Sequence, residues 1–105
     1  MSYTKASVGE GDEKAPGMHF LRETLDCENL GFTVLDAEAG WSGMEHDHAE
    51  DDHEEVYYLV EGTAAIEVDG TKVQLDAGEA VRVAPDATRT LSASESSTFV
   101  IVGAP

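Results

Sequence analysis

Ala64-Ala65-Ile66-Glu67-Val68-Asp69-Gly70-Thr71-Lys72-Val73-Gln74-Leu75 reads as one β-hairpin. Two β-type runs, residues 64–68 and 71–75, flank the dipeptide Asp69-Gly70. A two-residue type I′ turn needs positive φ at both central positions, which Asp-Gly tolerates and most pairs do not.

The same kind of segment repeats outward from the hairpin. On the C-terminal side, 76–79 turns the chain, 80–83 alternates Val81 and Val83 with smaller or charged neighbours, and Pro85-Asp86 marks another turn. Runs at 88–92 and 98–102 close the series. On the N-terminal side lie 55–61, a loop over 49–54, then 43–48, 32–37 and 18–21. No segment holds a 3.6-residue period over three turns, so no long helix is expected. Many short strands separated by turns predict an all-β sandwich or barrel over residues 18–105. Residues 1–17 are polar, contain Gly9, Gly11, Pro16 and Gly17, and read as a flexible N-terminal arm.

Val56-Tyr57-Tyr58-Leu59-Val60 is apolar at both alternating sets. A strand with one wet face does not read this way, so a second sheet or subunit is expected to cover it. A homodimer is the expectation.

Asp and Glu number 22 against 6 Lys and Arg, for a formal net charge of -16. Such a chain repels nucleic acid and anionic membranes, so neither is an expected partner. The acids are spread along the whole chain, which fits a carboxylate-covered surface adapted to a salty cytoplasm. A halophilic, archaeal source is the expectation. Cys27 stands alone and forms no internal disulfide, no run of 18 apolar residues exists, and residues 1–17 hold no apolar leader core. A cytoplasmic location follows as the default.

Chemistry concentrates in His46-Asp47-His48. At a strand period of two, both imidazoles face one side. Neutral imidazole ligates first-row divalent metals. Glu55 opens the next strand, and an antiparallel neighbour brings its carboxylate to the same point. Two His and one carboxylate form a facial triad with open positions. His53, in the loop, is a candidate further ligand. In the same acidic loop, though, His53 reads more readily as solvated, and its Asp and Glu as surface charge. Trp41, Tyr57 and Phe99 read as core, and His19 as an exposed strand residue. Cys27 has no basic or His neighbour to activate it, and there is no Gly-rich phosphate loop and no G-x-S-x-G.

From Gly40 through His46 and His48, and again from Glu55 to Gly62, the chain resembles the first motif of the cupin superfamily, G-x5-H-x-H-x3,4-E-x6-G. The outer gaps match, whereas six residues, 49–54, separate His48 from Glu55. The second motif, G-x5-P-x-G-x2-H-x3-N, is degenerate. From Gly78 it falls on Ala84, Asp86, Arg89 and Ala93, with Pro85 one residue late. The resemblance spans about residues 18–103 and implies a small cupin β-barrel, a jelly-roll double-stranded β-helix. It implies a divalent ion (Fe, Mn, Ni or Zn) on His46, His48 and Glu55. Arg89 stands where the fourth ligand belongs, and a guanidinium does not ligate a cation. It is open to pair with Glu55 in the metal's place, or to bind an anionic ligand through its fork. Two function classes follow. One is metal-dependent chemistry on a small molecule, as in cupin dioxygenases, isomerases and decarboxylase-like proteins. The other is a non-catalytic small-ligand module with Arg89 as its polar handle. A stress or storage role, as in other cupins, is a weaker third option.

Overall fold

Asp69 and Gly70 adopt positive φ, 48° and 83°. The turn they make joins β5 (Thr63–Val68) to β6 (Thr71–Asp76), with Val68 opposite Thr71. The structure, a computed structural model, describes residues 2–105. The remaining strands are β1 (Asp12–Ala15), β2 (Met18–Phe20), β3 (Gly31–Ala37), β4 (Glu54–Glu61), β7 (Ala80–Val83), β8 (Arg89–Ala93) and β9 (Ser97–Ala104). Among the described residues the only helical element is one 3-10 turn, Val8–Glu10.

The strands form two antiparallel sheets, ordered β1-β2-β3-β9-β4-β7 and β6-β5-β8. Alternation builds the core between them. In β9, Ser97, Phe99 and Ile101 are buried while Thr98, Val100 and Val102 are only partly covered. Tyr57 and Leu59 point inward from β4, Leu35 from β3, Ile66 from β5, Leu75 from β6 and Leu91 from β8. Each fully buried Leu, Ile or Phe contributes about 1.5–3 kcal/mol of apolar transfer. Two site residues share these inward registers: Glu55 is in phase with Tyr57, and Arg89 with Leu91 and Ala93.

The outer face of the larger sheet is apolar as well. Phe32, Val102 and Val56 form one lateral row, and Val34, Val100 and Tyr58 the next. Tyr58 and Val60 stay 40% and 45% exposed.

Residues 2–17, to which no element was assigned, contribute the 3-10 turn and β1, which pairs with β2. Gly17 makes this hairpin close: its φ is +79°, and a Cβ there would collide with the Asp36 carbonyl. Residues 43–48, expected as a strand, form no ladder; this stretch pairs with β8 only at two isolated bridges, Ser42 to Ser92 and His46 to Arg89, between which the register slips by one residue. In that gap the Met44 carbonyl faces the His46 ring, 3.1 Å away, and the Met44 side chain stands in solvent.

Candidate metal centre

The interrupted ladder still fixes the two histidines. The His46 amide donates to the Arg89 carbonyl at 3.0 Å and the His46 carbonyl accepts from the Arg89 amide at 2.8 Å, while the His48 amide donates to the Pro85 carbonyl at 2.8 Å. Their side chains therefore emerge on one side, at the end of β4 that begins with Glu54 and Glu55. His48 Nε2 lies 3.2 Å from Glu55 Oε1, and His46 Nε2 lies 3.9 Å from the same oxygen. The two rings meet edge to face at 5.2 Å. One donor atom from each of His46, His48 and Glu55 falls within 4.8 Å of the others. The cluster stands at the barrel mouth: the Glu55 side chain is 15% exposed, and His46 remains 47% exposed.

The far side of each ring is held by an acceptor. His46 Nδ1 faces the Met44 carbonyl, and His48 Nδ1 faces both Asp51 oxygens at 3.1 and 3.2 Å. A proton placed on each Nδ1 leaves both Nε2 lone pairs aimed at the space beside Glu55. That donor set, two imidazoles and a carboxylate with open positions, fits a divalent first-row ion.

Electrostatics follow from the same contacts. The Glu55 carboxylate beside His46 holds that imidazole above its usual value, against the opposing effect of burial. Burial pushes the Glu55 carboxyl up, but His46, the Tyr57 hydroxyl and the charges of His48 and Arg89 together bring it below its usual value. Tyr57 donates to Glu55 Oε1 at 2.6 Å. Burial first, then the Glu55 charge and their hydrogen bond, push the Tyr57 hydroxyl far up, so it remains a donor.

Arg89 does not pair with Glu55; among the described residues it forms no ion pair. Its side chain is 1% exposed, and Nη2 donates to the Ala84 carbonyl at 2.8 Å. Nε and Nη1 are shielded and have no hydrogen-bond partner in the chain. The inward register of β8, rather than an attracting carboxylate, sets this burial.

His53 lies outside the His46–His48–Glu55 group. It belongs to a second one with His48 and Asp51, its ring stacked on His48 at 6.0 Å. It is therefore not a solvated loop residue: its side chain is 18% exposed. Asp51, taken for surface charge, reaches His48. Tyr57, taken for core, is both core and site. Its two-residue spacing from Glu55 on one strand was the available signal. Nothing in the spacing of Asp51 distinguished it from its acidic neighbours. His19 is half-buried in β2, with a shielded Nδ1 that lacks a partner. A cleft of about 620 Å³ opens at the opposite end of β4 and is lined by Asp36, Trp41, Glu61 and Ser97. A smaller hollow of about 240 Å³ lies against Asp47, His48, Glu50 and Asp51.

The profile of the cupin domain matches residues 33–102, and the chain belongs to that family. Among solved structures it is similar to a cupin protein from Bacteroides fragilis, with 28% identity over 98% of this chain and 82% of that one, TM-score 0.79. KdgF from Halomonas sp. matches at 22% identity over 100% of this chain and 94% of that one, TM-score 0.73. A predicted oxalate decarboxylase from Thermotoga maritima matches at 20% identity over 83% and 77%, TM-score 0.71. The last two likenesses carry the fold alone. No curated protein matches the chain.

Proposed function

We propose that this chain is a metal-binding cupin whose His46, His48 and Glu55 hold a divalent ion of the Fe, Mn, Ni or Zn class, for metal-dependent chemistry on a small molecule. The observation that supports it is the convergence of both Nε2 atoms on Glu55 Oε1 while each Nδ1 is held from behind. A bound ion supplies Lewis acidity or an activated oxygen ligand. The protein's own residues do the rest. Tyr57 steadies the Glu55 carboxylate, the Met44 carbonyl orients the His46 ring, and the exposed edge of His46 leaves an approach from solvent. Metal analysis of protein purified without an affinity tag or added metal tests this. About one equivalent of transition metal is expected, and none in His46→Ala/His48→Ala protein. A metal-free chain that takes up no ion on titration overturns the reading.

A second reading, a non-catalytic module for a small anion, is favoured by the unpartnered Nε and Nη1 of Arg89. A buried guanidinium with open donors suits a carboxylate or phosphate. Binding of such an anion by metal-free protein, lost in Arg89→Met, selects this reading over the first.

We further propose a homodimer that covers the rows around Val56, Tyr58 and Val60, with the N-terminal segment contributing to the cover. The apolar outer face supports this. The acidic composition supports a halophilic source, and the lone Cys27 a cytoplasmic location.

A further inference from the structure

We propose that Asp51 is a positioning residue for the metal centre: its carboxylate holds the proton of His48 on Nδ1 and so turns the Nε2 lone pair toward His46 and Glu55. The inference rests on the metal-binding reading and adds a residue to it.

His48 sits between two carboxylates, and the geometry decides which one takes its proton. On the Nδ1 side both Asp51 oxygens lie at 3.1 and 3.2 Å. On the Nε2 side a single Glu55 oxygen lies at 3.2 Å, and that oxygen already accepts the Tyr57 hydroxyl at 2.6 Å. A proton on Nδ1 meets two acceptor oxygens, against one on the Nε2 side, so a neutral His48 carries its one proton on Nδ1.

The loop is built to keep Asp51 there. The Asp52 amide returns to the His48 carbonyl at 2.9 Å, and Asp52 adopts φ +56°, so the chain makes one tight turn around His48. Within that turn Asp51 is the third residue after His48. The His53 amide donates to Asp51 Oδ1 at 3.4 Å, and the His53 ring stacks on the His48 ring. Asp51 is thus fixed from both sides although its side chain is half exposed. The two metal-facing imidazoles are oriented differently: His46 by the neutral carbonyl of Met44, His48 by a charged carboxylate. A carboxylate behind a ligating imidazole also raises its basicity toward the metal.

Metal-stripped protein is titrated with Zn²⁺ by calorimetry, as wild type, Asp51→Asn, Asp51→Ala and His53→Ala. Long-range ¹H–¹⁵N spectra of the imidazoles are recorded without metal, at a pH where they are neutral. Asp51→Ala is expected to weaken Zn²⁺ binding by about 10–100-fold, with partial retention in Asp51→Asn, whose amide oxygen still accepts. His48 is expected as the Nδ1–H tautomer in wild type and to shift toward Nε2–H in Asp51→Ala, while His46 stays unchanged. An unchanged His48 tautomer in Asp51→Ala overturns the proposal. So does uptake of two ions, one of them lost in both Asp51→Ala and His53→Ala, because Nδ1 would then be a ligand and not a donor. Wild type that binds no Zn²⁺ sinks the metal reading and the positioning role together. The tautomer spectra still show whether Asp51 holds His48, so the two failures are told apart.

Discussion

His48 Nε2 and Glu55 Oε1 lie 3.2 Å apart, with Asp51 closing on the opposite nitrogen of the same ring. The distance suits a shared proton, and equally two ligand atoms of one metal ion, whose bonds of about 2.0–2.2 Å would set neighbouring ligands roughly 3 Å apart. Proton and metal therefore compete at this point.

Competition sets a pH profile. Ligation needs neutral imidazole, and His46 is held above 6.5 by the neighbouring Glu55 carboxylate. Affinity for Zn²⁺ or Ni²⁺ is expected to rise with pH past the ordinary imidazole range before it levels, as read by competition with a chelating dye. In metal-free protein the sign reverses. The raised His46 value adds stability that is complete below 6.5 and is lost as pH climbs through the folded value. The lowered Glu55 value adds stability present above 4.5 and lost as pH falls through the folded value. A metal affinity flat across the imidazole range would sink this account.

Tyr57→Phe removes the hydroxyl that donates to Glu55 Oε1 at 2.6 Å and keeps the buried ring. A hydrogen bond to a charged group is worth about 1.5–3 kcal/mol, and the lower end is expected because Glu55 is not fully buried. Urea unfolding should show that loss. The Glu55 carboxyl, followed by carbon NMR, should titrate at higher pH than in wild type.

Arg89→Met exchanges a buried guanidinium with two unpartnered nitrogens for an apolar chain of similar length. The exchange relieves the desolvation cost of an unpaired buried charge and gives up one hydrogen bond, to the Ala84 carbonyl. The variant is expected to melt no lower than wild type, whereas Arg89→Ala, which leaves a void, melts lower. A large loss of stability in Arg89→Met would mean that the guanidinium has partners the chain alone does not reveal.

Folding gathers the 22 acids into a smaller volume, and the repulsion this creates is screened at molar salt, where the Debye length is about 3 Å. The melting temperature is expected to climb steeply from dilute buffer to molar sodium chloride and to climb less in sucrose, which strengthens apolar burial without screening. Mild acidification should help at first by neutralising some carboxylates. A melting temperature indifferent to salt would remove the case for a salt-adapted surface.

Tyr58→Glu places a charge in the apolar outer rows without touching the inner face. Light scattering at molar salt is expected to give a dimer for wild type and a monomer for the variant. The high salt matters, because a charge of -16 on each chain can separate a true dimer in dilute buffer. A monomeric wild type under those conditions ends the dimer proposal.

Local rules carried the strands. Asp69-Gly70 dictated its own turn, and the alternation in 80–83 and the β-type run 98–102 predicted strands whose structural bounds differ by at most two residues. His46 and His48 do come out on one side, but backbone bonds to Arg89 and Pro85 hold them there, not the strand period from which this was expected. The segment 43–48 is no strand because its ladder depends on where β8 lies, and the two bridges to β8 are out of register by one residue.

From the sequence alone came an all-β chain with a His-x-His pair, a carboxylate one loop away, and an arginine in the place of a further ligand. Tertiary structure decided what touches what. It set Glu55 against His48 rather than Arg89, put the Tyr57 hydroxyl on that carboxylate, and curled the loop so that one acid of several, Asp51, meets the imidazole. The difference is physical. Strand formation and parity are written in neighbours one to four residues apart. Which carboxylate meets which cation depends on sheet register and loop curvature, and those are set only when distant strands pack together.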